Sequence, residues 1–491
     1  MIINVEKYES KYIEKDGNKI TANDLYEDFI KLLPFMSNPS HCKYDSNCGF
    51  SGITGEFFRR GIRSKVNPIE NVDQTINSVR QYLLDNKILD DKNNIESVVN
   101  VIRDILVADK NKFNVIDASF LKYQPIYQQP NDKYKKYKAG QERMAKYLLS
   151  MLDDDLELEL EKAKDNVINT IVRQSLNSLI DGMMNTRERP YIILPFVKRQ
   201  FNEDFRWLLS QEDDVVRKNI DKFLHFYLCF SVTQTILSLS IETIKKDFDK
   251  PEELFFVLST EHVSGHSDAV INGWDNKLNE KILKKIFGQL QTLDILNAII
   301  SDETYDEDKR SVPIGSFGKI LSRLEETPFE LNKEKCETIL CEYLQAKTAT
   351  ITSRNSDKKS GNISNLEEYT KADSYEMFIR NLYTLCIRLC SSDYETKMKT
   401  NVHDLMKIKF LKVRKNYTVL TLDDDMLIFL VAMIVKNERL RLDVVYERMA
   451  CLYGIRFNMT SRNQIEQILL NYNILDRKSD SGEVQYVSII L

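Results

Sequence analysis

The chain has 491 residues, with 69 Lys plus Arg against 74 Asp plus Glu and a formal net charge of −5. That length exceeds one ordinary hydrophobic core, so several domains are expected. The charge excludes whole-protein steering toward nucleic acid, and any basic surface must be local. Only 15 Gly and 10 Pro are present, which argues against a turn-rich all-β chain. Together with long stretches of 3.6-residue periodicity, this predicts a mainly α, multidomain protein.

Residues 1–122 read as a mixed, mostly helical N-terminal domain. Ala22–Leu33 reads as a helix ending before Pro34, and Ser37–Gly55 as a loop rich in Ser, Asn, Gly and Cys. Ile76–Ile88 and Ile95–Leu106 read as amphipathic helices. Residues 123–140 are aperiodic and rich in Tyr, Gln, Pro and Lys, a linker composition.

A helical middle domain follows over 141–348. Met151–Glu161 is acidic, and Val167, Ile168, Ile171, Val172, Leu176, Leu179 and Ile180 then recur on one helix face. Phe201–Leu209, Val215–Ile244, Pro251–Leu258 and Leu278–Ile300 continue the helical pattern. The uncharged run Phe223–Ile241 has the length of a membrane span. It contains His225, Ser231, Thr233, Gln234, Thr235, Ser238 and Ser240, so a buried helix is the better reading. Residues 349–365 form a polar linker, and 366–420 a helical segment that ends in a basic stretch.

Residues 421–491 spell out a C-terminal winged helix-turn-helix. A first helix opens at Thr421, and a second carries Leu442, Val445, Met449 and Leu452 to a stop at Gly454. A third opens with Ser461 and Gln464 at capping-box spacing and places Ile465, Ile468, Leu469 and Tyr472 on one face. Two β-like runs, Ile474–Arg477 and Glu483–Ile490, flank the turn Ser479–Gly482. Projection of the third helix puts Asn463, Glu466, Gln467 and Leu470 outward, with Arg462 at the flank. From Leu440 to Leu491 six basic residues face six acidic ones. An acid and a leucine on that face suit partner binding through Glu466, Gln467 and Leu470 better than base reading.

The start MIINVEKYES is neither a secretory signal nor a transit peptide, so a cytoplasmic location without membrane contact is expected. The eight cysteines should then be reduced thiols, mostly buried. Gly315-Ser-Phe-Gly318-Lys319-Ile320 is too short for a phosphate-wrapping loop and lacks the hydroxyl after its lysine. His41, Cys42 and Cys48, with Asp45, lack a second ligand pair for zinc. Glu9-Ser-Lys11 and Glu307-Asp-Lys309 follow no strand bearing a suitable acid. No catalytic centre, metal or cofactor is therefore expected.

Two local stretches are candidates for phosphate contact. Lys133, Lys135, Lys136 and Lys138 interleave with Tyr134 and Tyr137, which can stack on unpaired bases. Lys397, Lys399, Lys407, Lys409, Lys412, Arg414 and Lys415 precede the C-terminal module, where Arg462 adds a further cation. The plainer reading of both stretches, which outweighs phosphate contact, is a solvated surface.

Several patches resemble the DptG (DndG) family of DNA phosphorothioation-dependent restriction. They are Leu194-Pro-Phe196 with Phe201, Asp204 and Leu208-Leu209; His225-Phe-Tyr227 with Gln234; Trp274, Leu293 and Leu296-Asn297; and Ser479–Val487. The resemblance is spread over residues 190–491. It implies a bacterial antiviral defence subunit working with DptF-like and DptH-like partners against DNA that lacks the phosphorothioate mark. It assigns ATP hydrolysis to those partners and carries no catalytic motif onto this chain. The expectation is a non-catalytic adaptor that touches protein and in part DNA. The alternatives are a metal-dependent nuclease subunit and a free-standing DNA-binding regulator.

Overall fold

The computed structural model describes residues 3–12, 14–15, 18–19, 30–35, 49–69, 72–89, 91–108, 112–126, 134–153, 167–176, 179–183, 190–241, 244, 248–262, 267–300, 314–353, 365–390, 392–413, 417–477 and 485–490. These are mainly helical, with a few small sheets. One cluster of buried hydrophobic side chains runs from Ile3 to Val487.

In chain order the main helices are α1 (Val5–Tyr12), α2 (Ser51–Gly61), α3 (Val72–Asp85), α4 (Lys92–Leu106), α5 (Tyr134–Leu149), α6 (Val167–Leu176), α7 (Pro195–Leu209) and α8 (Asp213–Ser238). There follow α9 (Glu280–Ile299), α10 (Phe317–Leu324), α11 (Lys333–Ser353), α12 (Tyr375–Arg388) and α13 (Ser392–Lys407). The last three are α14 (Asp424–Val435), α15 (Leu442–Tyr453) and α16 (Met459–Asn471). The strands used below are β1 (Leu254–Leu258), β2 (Leu411–Val413), β3 (Thr418–Leu422), β4 (Leu440–Arg441), β5 (Ile455–Phe457), β6 (Leu475–Arg477) and β7 (Gln485–Val487).

Helix α8, at 26 residues, is the longest among the described residues. It carries the uncharged run anticipated as a buried helix and touches α2, α5, α7, α13 and α14. Phe223, Phe226, Tyr227 and Phe230 are buried along it and pack ring against ring. Among the described residues no helix is long and apolar enough to cross a membrane. Helix α14 is apolar around most of its circumference, and every residue from Met426 to Val435 except Ile428 is buried. A helix of that composition is stable only inside a core, where each large side chain contributes about 1.5–3 kcal/mol.

The strands β5-β1-β3-β2 form a four-stranded sheet, with β5 and β3 parallel to β1 on either side and β2 antiparallel to β3. Leu254, Phe256 and Leu258 are buried along β1. This corrects the helical reading of Pro251–Leu258 and the helix start at Thr421, which lies in β3. Asp423 instead caps α14, accepting the N–H of Met426 at 2.8 Å. A five-residue apolar run fits a buried strand as well as a helix segment, and periodicity alone does not separate them.

Other local expectations also change. Ser51–Gly61 is a buried helix rather than the end of a loop. Ile30–Leu33 are not helical, and the Lys31 carbonyl accepts the N–H of Ile192 at 2.8 Å. Residues 134–140, read as linker, form the first turns of α5, whose anchor is the buried face of Met144, Tyr147 and Leu148. Helix α11 runs on through Ala349–Ser353. Residues 21–29 and 36–48 lie outside the described residues.

At the C-terminal end the order is α14, β4, α15, β5, α16, β6, β7. The strands β4, β7 and β6 form an antiparallel sheet with β7 in the middle. Gly454 ends α15 at φ +66°, as expected for a left-handed stop. Helix α16 starts earlier than anticipated. Asn458, not Ser461, is its cap and accepts the N–H of Ser461 at 2.8 Å. Tyr472 is exposed rather than on the packed face. The turn Ser479–Gly482 lies outside the described residues.

Candidate functional site

The densest buried polar constellation joins the middle of the chain to its C-terminal end. Asp204, on α7, has no solvent exposure. Its Oδ2 accepts hydrogen bonds from Tyr227 of α8 and Tyr453 of α15, both at 2.5 Å. Its Oδ1 accepts from Gln200 at 3.0 Å and pairs with Lys436 Nζ at 2.9 Å. Lys436 also meets Glu203 at 2.7 Å. Burial pushes the Asp204 carboxyl up, and Lys436 and the tyrosines only partly offset this. Burial pulls the Lys436 ammonium down, but the attraction of Asp204 and Glu203 outweighs it and the net shift is upward.

Lys436 holds this position at φ +49°, in the left-handed region that a side chain rarely adopts. Such strain persists only where the surroundings over-determine it. Here a buried carboxylate does so. Phe226 and Phe230 close over Tyr453 at 5.2 and 6.1 Å. Chemically the constellation is a closed latch, and each strong acceptor site is filled by a donor of this chain.

Two further ties flank it. Gln234 of α8 clamps the backbone of one residue, donating to the Glu252 carbonyl at 3.0 Å and accepting the Glu252 N–H at 2.8 Å. The Leu254 N–H then donates to the Gly454 carbonyl at 2.7 Å. Glu261, just after β1, is buried and accepts the Ser461 hydroxyl at 2.7 Å. The start of α16 is thereby fixed to the end of β1.

His225 lies on α8 between Phe50, stacked at 4.8 Å, and Phe410, edge-on at 5.5 Å. Burial lowers its pKa from 6.5 to about 4, against a weaker upward pull from a backbone hydrogen bond at Leu405. A depressed folded-state pKa means that the unfolded chain takes up a proton below pH 6.5 that the folded chain refuses. Stability should therefore fall as pH drops from 6.5 to about 4, by at most ~3 kcal/mol from this residue. Denaturant titrations of wild type and His225→Leu across that window check this. The variant should show the shallower pH dependence.

Of the anticipated phosphate-contact residues, three lysines are engaged within the chain. Lys399 pairs with Glu280 at 2.9 Å and Lys409 with Asp423, the α14 cap, at 2.8 Å. Lys412 donates to the Ser259 carbonyl at the end of β1. Lys407 is exposed at the end of α13, and Lys138 is exposed on α5. Lys135 and Lys136 fall in the first turn of α5, while Lys133, Arg414 and Lys415 lie outside the described residues. Three lysines of the basic stretch thus tie α13 and β2 to their neighbours, which its sequence could not reveal because the pairing with Glu280 and with the Ser259 carbonyl is made only by the fold.

On α16, Gln467 and Asn463 are exposed as projected. Glu466 is half-buried and accepts from Gln485 of β7 at 2.6 Å. Leu470 is not outward. It is half-buried and packs against the core, because a 100° projection of the helix alone takes no account of the chain packed beside it. Arg462 lies over the Tyr446 ring at 4.8 Å. A groove of about 560 Å³ lies between α15, α16, β5 and β7, lined in part by Arg441, Arg456, Met459, Arg462 and Glu466.

Gly315–Ile320 forms a helix start, with Ser316 capping α10. Among the described residues no group of three or more His, Cys, Asp or Glu side chains gathers to hold a metal ion. His41, Cys42, Asp45 and Cys48 lie outside those residues. Cys229, Cys336, Cys386 and Cys390 are buried free thiols, and Cys451 is exposed. No family model matches the chain, and no curated protein matches it.

Proposed function

We propose that the chain is a non-catalytic adaptor of a DNA-restriction complex and that residues 424–487 form a winged helix used for docking protein. The element order helix, strand, helix, strand, helix, strand, strand, with the last strand central in its sheet, supports the winged-helix reading, β5 being an added strand between the second and third helices that joins the other sheet. The observation that carries the docking role is the fixed start of α16. A helix-turn-helix reads DNA with the N-terminal residues of its second helix in the major groove. Here that end is seated at the end of β1 through Ser461 and Glu261, and Asn463 and Gln467 farther along face solvent. Met459, an apolar side chain 73% exposed at that end, suits a protein surface better than a phosphate or a base edge.

The resemblance of residues 190–491 to DptG proteins supplies the expected partners, DptF-like and DptH-like subunits. Tagged full-length protein, purified from its native host at moderate salt with nuclease added, should recover two ATPase-like partners in stable amounts. Recovery of the protein alone, combined with tight binding of a defined duplex, would overturn the adaptor reading in favour of a free-standing DNA-binding regulator.

A further inference from the structure

The groove between α15, α16, β5 and β7 contains three guanidinium groups in different states. Arg441 is held by Asp443 through two hydrogen bonds, at 3.0 and 2.6 Å. Arg456 is held likewise by Glu253, at 2.5 and 2.6 Å. Arg462 has no such carboxylate among the described residues. Its plane lies on the Tyr446 ring, and the Tyr446 hydroxyl donates to its backbone carbonyl at 3.2 Å. Its Nε is buried without a hydrogen-bond partner. Stacking fixes the direction of this fork before anything binds, so little side-chain entropy remains to be lost. At the groove's lip Met459 is 73% exposed, a large apolar side chain at the first position of its helix.

We propose that this groove receives a segment of a partner protein that presents a carboxylate to Arg462 and an apolar side chain to Met459. The inference rests on the adaptor reading and names the chemistry of its partner surface. Charge selects protein over nucleic acid. Asp443, Glu447 and Glu466 line the same groove, and a phosphate backbone laid along it would meet all three. A single carboxylate between apolar neighbours reaches the Arg462 guanidinium without meeting them. A planar carboxylate also matches the two-pronged geometry that Arg441 and Arg456 already satisfy within the chain.

The test places the photo-crosslinking residue p-benzoylphenylalanine at Met459 in tagged full-length protein in the native host. After irradiation the crosslinked peptides are mapped by mass spectrometry. The expected product is a partner-protein peptide with Asp or Glu within a few residues of the crosslink. Arg462→Ala should lower recovery of that partner about tenfold or more, as loss of a buried interface arginine does. Arg462→Lys should not restore it, because a point charge cannot grip both oxygens. Met459→Asp, which leaves the Arg462 stacking in place, should cause a similar loss, and Asn471→Asp at the far end of the helix should cause none. Recovery of the partner unchanged by Arg462→Ala and Met459→Asp would sink the groove while leaving the adaptor reading standing. A crosslink to nucleic acid, or to a peptide without acidic residues, would also overturn it. Failure of wild type to recover any partner would remove the adaptor reading and this inference together.

Discussion

Lys436→Met is expected to destabilise the fold by about 3–5 kcal/mol, the usual cost of removing one member of a buried ion pair. The variant keeps the backbone strain at φ +49° and loses the ammonium that offsets the buried Asp204 charge. Tyr227, Tyr453 and Gln200 still donate to the carboxylate, so the constellation should survive with its acid half-compensated. Lys436→Gly loses the same pair but relieves the left-handed strain, and should be less destabilising than the methionine variant by about 1 kcal/mol. The pH dependence gives an independent check. Without Lys436, burial drives the Asp204 carboxyl farther above its unfolded value. A raised folded-state pKa contributes stability that is fully present below the unfolded pKa and is lost as pH rises through the folded one. The deficit of Lys436→Met should therefore be large at neutral pH and shrink toward about pH 4. Urea titration at both pH values reads this directly. A deficit independent of pH would mean that the carboxylate is not the group left uncompensated.

The second large effect is expected at Gly454. Its φ of +66° disfavours any side chain, and a Cβ there would lie 2.4 Å from the Glu252 carbonyl oxygen and 3.2 Å from Pro251. Gly454→Val should cost about 3 kcal/mol or more, combining the conformational penalty with the clash. Gly454→Asn separates the two causes, since asparagine tolerates the left-handed region. It should rescue little, because the Glu252 carbonyl is fixed by the Gln234 clamp. Full recovery with asparagine would show that space is not the constraint. Thermal melts of the two variants, with circular dichroism as the readout, decide between them.

Legibility in the sequence followed the range of the interactions. Helix α8 was readable because a long uncharged run interrupted by His225, Ser231 and Gln234 fits a protein core and not a bilayer. The left-handed stop at Gly454 and the paired strands β6 and β7 were readable because turn and cap chemistry is local. The four-stranded sheet was not, since β1, β2, β3 and β5 are three to five residues long and come from distant parts of the chain. The latch was not visible, since Asp204 and Tyr227 entered the sequence reading only as parts of the resemblance patches, and Lys436 and Tyr453 meet them only through the fold. The same holds for Lys399, Lys409 and Lys412, a basic surface in one dimension and a set of ties in three. Leu470 was misjudged because a lone helix has an outside that the chain packed beside it removes.

Strand β1 has parallel neighbours on both flanks, β3 and β5, and both are made much later than β1 itself. During synthesis at ~5–20 residues per second, the apolar segment Leu254–Leu258 leaves the ribosome on the order of ten seconds before either neighbour exists. In that interval it is a bare, uncharged β template, the kind of edge through which nascent chains associate. The yield of this protein in a cell should consequently be governed by how that segment is shielded while the chain is unfinished. Versions cut before residue 418 would keep the exposure permanently.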